Sequence, residues 1–171
     1  SRDQTIKLWD IATGREVKTF SGHTGHVRAV MFSGSGKQCA SSSDDGTTRL
    51  WDISTGKEIV RFISFTDGEW IVLTPEGYFN ASPNGAKHLN VRLGNNVYGI
   101  DQFYDVFYRP DIVWAKLKGE DITGLVTLTV EEAIKNPPPT VKFLPFPSET
   151  GDSRMKVCYQ VESTGGGIGE V

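Results

Sequence analysis

Cysteine is scarce in this chain, and what there is falls far apart, at Cys39 and Cys158 in segments that read as different modules. That excludes a disulfide framework, and a thiolate metal site would need further ligands close by. Both cysteines are expected to be reduced thiols, which favours a cytoplasmic setting. Histidine is almost as rare, with His23, His26 and His88 alone. Charge of either sign is nearly balanced, at a formal net −3, which gives no ground for a nucleic-acid or membrane-surface partner. No apolar run approaches the roughly 20 residues that span a bilayer, and no signal-peptide pattern opens the chain at Ser1. The expectation is no cofactor, no metal, no membrane or nucleic-acid partner and no small-molecule substrate.

What the chain does have is glycine, 19 residues of it, and a repeat. The stretch from Ser1 to Gly14 (SRDQTIKLWDIATG) returns from Ser43 to Gly56 (SDDGTTRLWDISTG), so that Trp9-Asp10 and Trp51-Asp52 stand 42 residues apart. A period of roughly 40–45 residues ending in Trp-Asp marks a β-propeller blade of four short strands. The chain therefore begins inside a blade and is expected to be a piece of a longer protein. Alternating polar and apolar residues give the last two strands of one blade within 1–20. One complete blade follows, with strands at Val27–Phe32, Gln38–Ser42, Thr47–Ile53 and Glu58–Ile63. Its turns fall at residues 33–36, 44–46 and 54–56, where Gly, Ser, Asp and Thr tolerate turn dihedrals.

After residue 63 the signature decays. Trp70–Leu73 and Tyr78–Ala81 flank a Pro-Glu-Gly turn. Leu89, Val91 and Leu93 alternate with polar residues, and residues 94–96 turn the chain into Val97–Ile100. These four strands predict a degenerate closing blade over 64–100. The periodicity then changes to a helical extension over 101–136. Asp101 is placed to cap a first helix through Tyr108, and Pro110 starts a second that Gly119 stops. Thr129-Val130-Glu131-Glu132 reads as a capping box for a third. Pro137-Pro138-Pro139 is a stiff linker and, beyond it, Val141–Leu144 and Lys156–Val161 read as two strands of a truncated immunoglobulin-like β module over 137–171. The glycines at 165–169 read as a turn, since no Lys-Ser/Thr follows them as a phosphate loop requires.

One constellation invites a catalytic reading: His23, Ser41 or Ser43, Asp45 and Trp51. Their spacing argues otherwise. With Gly22-His23 standing 22 residues before Asp45 and 28 before Trp51, and two Trp-Asp signatures in register, residues 1–63 resemble the WD-repeat family. The resemblance implies that His23, Ser43, Asp45 and Trp51 form a structural hydrogen-bonded tetrad, and that Asp3, Trp9, Asp10 and Asp52 are repeat signature positions. A buried imidazole and indole both need partners, and the turn carboxylate and a hydroxyl supply them.

A second resemblance covers the rest. Glu69–Ser82 (EWIVLTPEGYFNAS), followed by Phe107–Asp111 (FYRPD), is similar to the segment after the propeller in bacterial WD-repeat proteins of the caspase family. There a linker and an immunoglobulin-like module often lead to a caspase-like cysteine peptidase domain. It carries no catalytic residue over, because neither His88 nor Cys158 stands in a matching motif. The expected fold is mainly β: about two and a half propeller blades, a short helical extension and the start of a β-sandwich. The expected function is non-catalytic protein–protein recognition or sensing, with partners on the loops at residues 23–26, 34–37 and 44–47. The alternative is the regulatory part of a caspase-like peptidase whose catalytic domain lies beyond Val171.

Overall fold

The structure, a computed structural model, describes residues 1–93, 95–126, 130–135, 140–144 and 159–162. In chain order the strands are β1 (Ile6–Asp10), β2 (Arg15–Phe20), β3 (Val27–Phe32), β4 (Gln38–Ser43), β5 (Thr47–Asp52), β6 (Glu58–Ser64), β7 (Trp70–Leu73), β8 (Phe79–Ala81), β9 (Asn90–Leu93) and β10 (Asn96–Gly99). Helices α1 (Tyr104–Phe107), α2 (Pro110–Lys118) and α3 (Val130–Lys135) follow, then strands β11 (Thr140–Phe143) and β12 (Tyr159–Glu162). These residues fall into two compact units, Ser1–Leu89 with Phe107–Thr127, and Asn90–Val106 with Leu128–Val171.

The first unit shows the repeat in its backbone. β1 and β2 form a two-stranded antiparallel sheet, and β3 to β6 run antiparallel in sequence order. A register shift falls between Leu8 and Trp9 on β1 and again between Leu50 and Trp51 on β5. The turns repeat as well. Gly14 N–H donates to the Asp10 carbonyl and Gly56 N–H to that of Asp52, each at 2.8 Å, while the Asp10 and Asp52 carboxylates accept from Thr13 and Thr55 N–H, each at 2.7 Å. The two sheets close on one core in which Ile6 and Phe20 meet Val27, Cys39 and Trp51, with Leu8 and Ile53 against them. Phe20 stands edge-on to the Trp51 ring at 5.9 Å.

Beyond β6 the structure departs from four strands of one closing blade. β7 and β8 add to the outer side of β6, so one sheet runs β3-β4-β5-β6-β7-β8, while β9 and β10 pair with each other in a sheet of the second unit. The loop after β6 explains the difference. Residues 21–26 carry the chain from β2 across to the next sheet, and His23 anchors that loop. At the corresponding place, 42 residues on, stands Phe65. Without the imidazole anchor the chain closes a tight turn, Phe65 N–H to the Glu69 carbonyl at 2.9 Å and Gly68 N–H to the Phe65 carbonyl at 3.1 Å, with Gly68 at φ 86°. It returns along the free edge of β6, pairing Trp70–Leu73 with Arg61–Ser64.

Helix α2 starts and stops where Pro110 and Gly119 place it, with Gly119 in the left-handed conformation at φ 76°. It covers one face of the outer strands, burying Val113 against Val60 and Val72, with Leu50, Ile59 and Leu117 around them. Lys116 Nζ pairs with both carboxylate oxygens of Glu76 in the β7–β8 turn, at 2.5 and 2.7 Å, and Arg109 N–H donates to the Phe79 carbonyl at 3.0 Å. Within the second unit, β9 and β10 form a hairpin and β11 pairs antiparallel with β12. Asp101 lies inside a short 3-10 turn, Ile100–Phe103, that Gly99 precedes, and does not cap a helix as expected. Thr129, Pro137 to Pro139, Cys158 and the glycines at 165–169 lie outside the described residues. No helix among the described residues is long and apolar enough to cross a membrane.

The repeat exposes one strained position. Gly46 turns the β4–β5 hairpin at φ 80°, and its counterpart before β1 is Gln4, held at φ 66°. An L-residue in that region costs about 1–2 kcal/mol, offset for glycine by about 0.5–1 kcal/mol of extra chain entropy. Gln4→Gly is therefore expected to stabilise the first unit by about 0.5–1 kcal/mol in urea denaturation, and no gain would show that the turn relaxes at no cost.

Candidate interaction surface

The tetrad forms, with one change of member. Trp51 Nε1–H donates to Ser41 Oγ at 2.8 Å, Ser41 and His23 Nε2 are 2.8 Å apart, and His23 Nδ1 lies 2.8 Å from Asp45 Oδ2. Indole to hydroxyl, hydroxyl to Nε2 and Nδ1–H to carboxylate gives every hydrogen an acceptor. The hydroxyl is that of Ser41 and not Ser43. Ser41 faces the indole from mid-strand, whereas Ser43 is the last residue of β4, and its Oγ accepts from Asp45 N–H at 3.2 Å inside the turn. Among the signature positions Asp10 and Asp52 hold turns and Asp3 accepts from Thr5 N–H at 3.1 Å.

Serine, imidazole and carboxylate in this order have the connectivity of a hydrolytic triad. The surroundings remove that reading. Ser41 is 2% exposed, and its oxygen already accepts from the Trp51 indole, so no substrate can reach it from solvent. Among the described residues there is no group of three or more His, Cys, Asp or Glu able to hold a metal ion. Cys39 is a free, buried thiol whose pKa burial pushes up, so it is kept as an inert core residue.

Asp45 is the hub. Burial alone would raise its carboxyl pKa. Hydrogen bonds from Thr47 Oγ1 at 2.7 Å, His23, Thr24 N–H at 3.1 Å and Thr47 N–H at 2.9 Å reverse that and hold it well below the usual carboxylate range. One carboxylate thus ties the loop at residues 21–26 to the β4–β5 turn. The two backbones are close enough that a Cβ on Gly25 would meet Asp45 N at 2.5 Å. Around this joint the exposed groups are His26, Arg28 and Asp44, with the Arg28 guanidinium on the Asp44 carboxylate at 2.7 and 2.5 Å. That contact, led by the Arg28 hydrogen bond, lowers the Asp44 pKa.

The expected recognition loops do not all meet. Antiparallel strands put residues 23–26 and 44–47 at one end of the sheet, joined by Asp44 N–H to the His26 carbonyl at 3.0 Å. The loop at 34–37 sits at the other end, where Ile53 N–H donates to the Lys37 carbonyl at 3.0 Å. That end carries a cleft of about 640 Å³ whose charged lining is mixed, with Lys57 and Lys116 among Asp52, Glu58, Glu76 and Glu120.

One feature of the site went unseen in the sequence. Arg49, buried over the Trp51 ring at 6.0 Å, donates to Glu58 at 2.6 Å, and Glu58 also accepts from Arg61 at 2.7 Å. The signal was there: Lys7 and Glu16 pair at 2.6 Å, with Lys7 over Trp9 at 6.0 Å, 42 residues earlier. A basic residue two before each Trp and a glutamate seven after it form a second repeated network.

Residues 14–52 match the WD domain, G-beta repeat, family, so the chain carries a repeat of that class. Over 44 residues it is 53% identical to the Lissencephaly-1 homolog of Dictyostelium discoideum, covering 26% of this chain and 10% of that protein. Over 45 residues it is 53% identical to the Nuclear distribution protein nudF of Aspergillus terreus, with the same coverage of each. A 37-residue segment is 49% identical to the Nuclear distribution protein PAC1-2 of Postia placenta, covering 22% of this chain and 9% of that one. The chain thus spans about a tenth of the length of these relatives. They are eukaryotic, and the bacterial caspase-family resemblance finds no support among them.

Two predictions follow from this geometry. Ser41→Ala strands two buried nitrogens, each worth about 1–3 kcal/mol when unpaired. It should destabilise the unit by about 2–4 kcal/mol in urea melts, and Ser43→Ala by under about 1 kcal/mol. Equal effects would return the tetrad to Ser43. Asp45, with a folded pKa below its unfolded value near 4, stabilises fully above that value and loses its contribution as pH falls through the folded one. Denaturation midpoints should therefore fall between about pH 5 and pH 2 in wild type, and fall less across that window in Asp45→Asn. Parallel pH profiles would contradict it.

Proposed function

We propose that this chain is part of a protein-recognition scaffold: one complete and one partial blade of a WD-repeat propeller that present the loop end built from residues 23–26 and 44–47 to a protein partner. The observation that carries the reading is the Asp45 carboxylate, which spends its acceptor capacity fastening these loops to each other. Their exposed side chains, His26, Arg28 and Asp44, are held on a fixed base without any of the buried tetrad reaching solvent. Rigid loops on a β scaffold recognise by shape and by charge pairs at the rim. The nuclear distribution proteins and Lissencephaly-1 homolog share the repeat with this chain, so the likeness supports a function at the level of the repeat. The same reading includes a cytoplasmic setting, and β11 and β12 as the opening strands of an immunoglobulin-like module.

A second reading, the regulatory part of a caspase-like cysteine peptidase, rests on residues 69–82 and 107–111. These separate segments fold onto each other, through the parallel bridge of Phe79 with Tyr108 and ring contacts Phe79–Tyr108 and Tyr78–Phe107. It predicts a His and a later Cys in strand-bounded motifs of any downstream sequence.

The recognition reading is tested by affinity capture with the tagged full-length protein. Asp44→Lys and Arg28→Glu should each lose proteins that wild type retains, while Ser35→Lys at the opposite sheet end keeps them. Retention of the same proteins by all three variants would contradict the assignment of the surface.

A further inference from the structure

Asn84-Gly85 is the one Asn-Gly pair in the chain. Asparagine followed by glycine is chemically labile, because a residue without a side chain lets its backbone nitrogen reach the asparagine amide carbon. Here the glycine is obligatory. Gly85 is buried, and a Cβ on it would meet the Trp70 carbonyl oxygen at 2.4 Å and Ser82 Oγ at 2.9 Å. The close approach that seats residues 82–88 against the β6–β7 turn therefore installs a labile dipeptide at its centre.

Hydrogen bonds hold both reacting groups. The nucleophile, Gly85 N–H, donates to the Ser82 carbonyl at 2.9 Å. The Asn84 side-chain amide donates to Glu69 Oε1 at 3.1 Å, and its oxygen accepts from Lys87 Nζ at 2.6 Å. Glu69 also accepts from Asn84 N–H at 3.1 Å and from the Ser82 hydroxyl, whose oxygen accepts from Trp70 N–H at 2.9 Å. Ring closure needs the Asn84 side chain to turn over Gly85 N, which breaks the Glu69 contact. Lys87 is exposed and its bond is screened by water, so Glu69 is the main restraint.

We infer that Asn84 is a modification site: a succinimide-forming residue that Glu69 keeps closed and that, once converted, cannot return to its seat. In the first step Gly85 N bonds to Asn84 Cγ and the Cγ–Nδ2 bond breaks. The nitrogen leaves as ammonia, taking the proton lost from Gly85 N–H. Water then opens the ring at either carbonyl, leaving aspartate or isoaspartate. Neither product fits. Aspartate sets a second carboxylate where the amide donated to Glu69, and like charges at that distance repel. Isoaspartate lengthens the backbone immediately before Gly85, under the Trp70 carbonyl, where there is no room for a methyl group. Conversion therefore unseats residues 82–88, and with them the His88 ring from its stack on Phe65 at 3.9 Å and its contact with Asp67 at 3.0 Å. Each opening of this segment risks a mark that cannot be reversed.

Incubation of the protein at mildly alkaline pH, followed by peptide mass spectrometry, tests this. Asn84 should convert at least about tenfold more slowly in the native protein than in the same chain unfolded in guanidinium chloride, since the reaction waits on local opening. Glu69→Ala should bring the native rate to within about threefold of the unfolded one. Glu69→Gln offers one acceptor oxygen to three donors, and should speed conversion by more than about twofold. It decides the point if alanine opens the whole unit. Asn84→Asp, the conversion product, should raise amide exchange at Ser82 and Gly85 by at least about tenfold and leave the Trp51 indole unchanged. The inference is overturned if native and unfolded chains convert alike, or if both Glu69 variants keep the wild-type rate. It is equally overturned if Asn84→Asp leaves Ser82 and Gly85 as protected as in wild type, or frees the Trp51 indole along with them.

Discussion

A single carboxylate, that of Asp45, holds together the parts of this molecule that would otherwise be independent. It sits in a tight turn with four donors around it, the hydroxyl and backbone N–H of Thr47 from the turn itself and the His23 imidazole and Thr24 N–H from a loop more than 20 residues earlier. Through that imidazole it orders Ser41, and through Ser41 the Trp51 indole, whose ring then forms the wall on which Phe20 of the preceding sheet packs. Local turn chemistry is thereby coupled to the core between sheets. A polar chain in the interior stabilises only when every member is satisfied, which makes it an all-or-none lock more than a sum of separate bonds. The neighbouring Arg49–Glu58–Arg61 network follows the same logic in charged form.

Where the lock is missing the architecture changes. Phe65 stands in the place of His23, has no ring nitrogen to offer a turn carboxylate, and stacks on His88 at 3.9 Å. The chain after β6 then takes the nearest unsatisfied backbone edge. The result is a six-stranded sheet with a helix over its outer strands, pinned by Lys116 to Glu76. Helix α2 buries the apolar positions Val60 and Val72 on that sheet beneath Val113.

Strand positions in the complete repeat were legible because period-two alternation and Gly-bearing turns recur at a fixed interval, and α2 because Pro110 and Gly119 bracket it. The tetrad was legible except for its hydroxyl. Ser41 and Ser43 share a strand face, and choosing between them needs the reach of the indole, a distance that spacing does not encode. The destination of β7 was illegible for a related reason. Alternation at Trp70–Leu73 says strand but not which edge it joins, and the deciding fact is the replacement of one imidazole at position 65. The triad-like order of Ser41, His23 and Asp45 shows the converse. Connectivity alone matches a hydrolase, and burial by Trp51 decides against it.

The Trp51 indole N–H is the innermost hydrogen of the lock, while Trp9, its repeat counterpart, is 52% exposed. Hydrogen exchange of the two indole Nε1–H groups, followed by NMR, reads this directly. The Trp51 indole is expected to exchange only through global unfolding of the first unit, orders of magnitude more slowly than the Trp9 indole. Equal, rapid exchange at both positions would contradict the claim that the His23–Ser41–Asp45 chain locks the two sheets together.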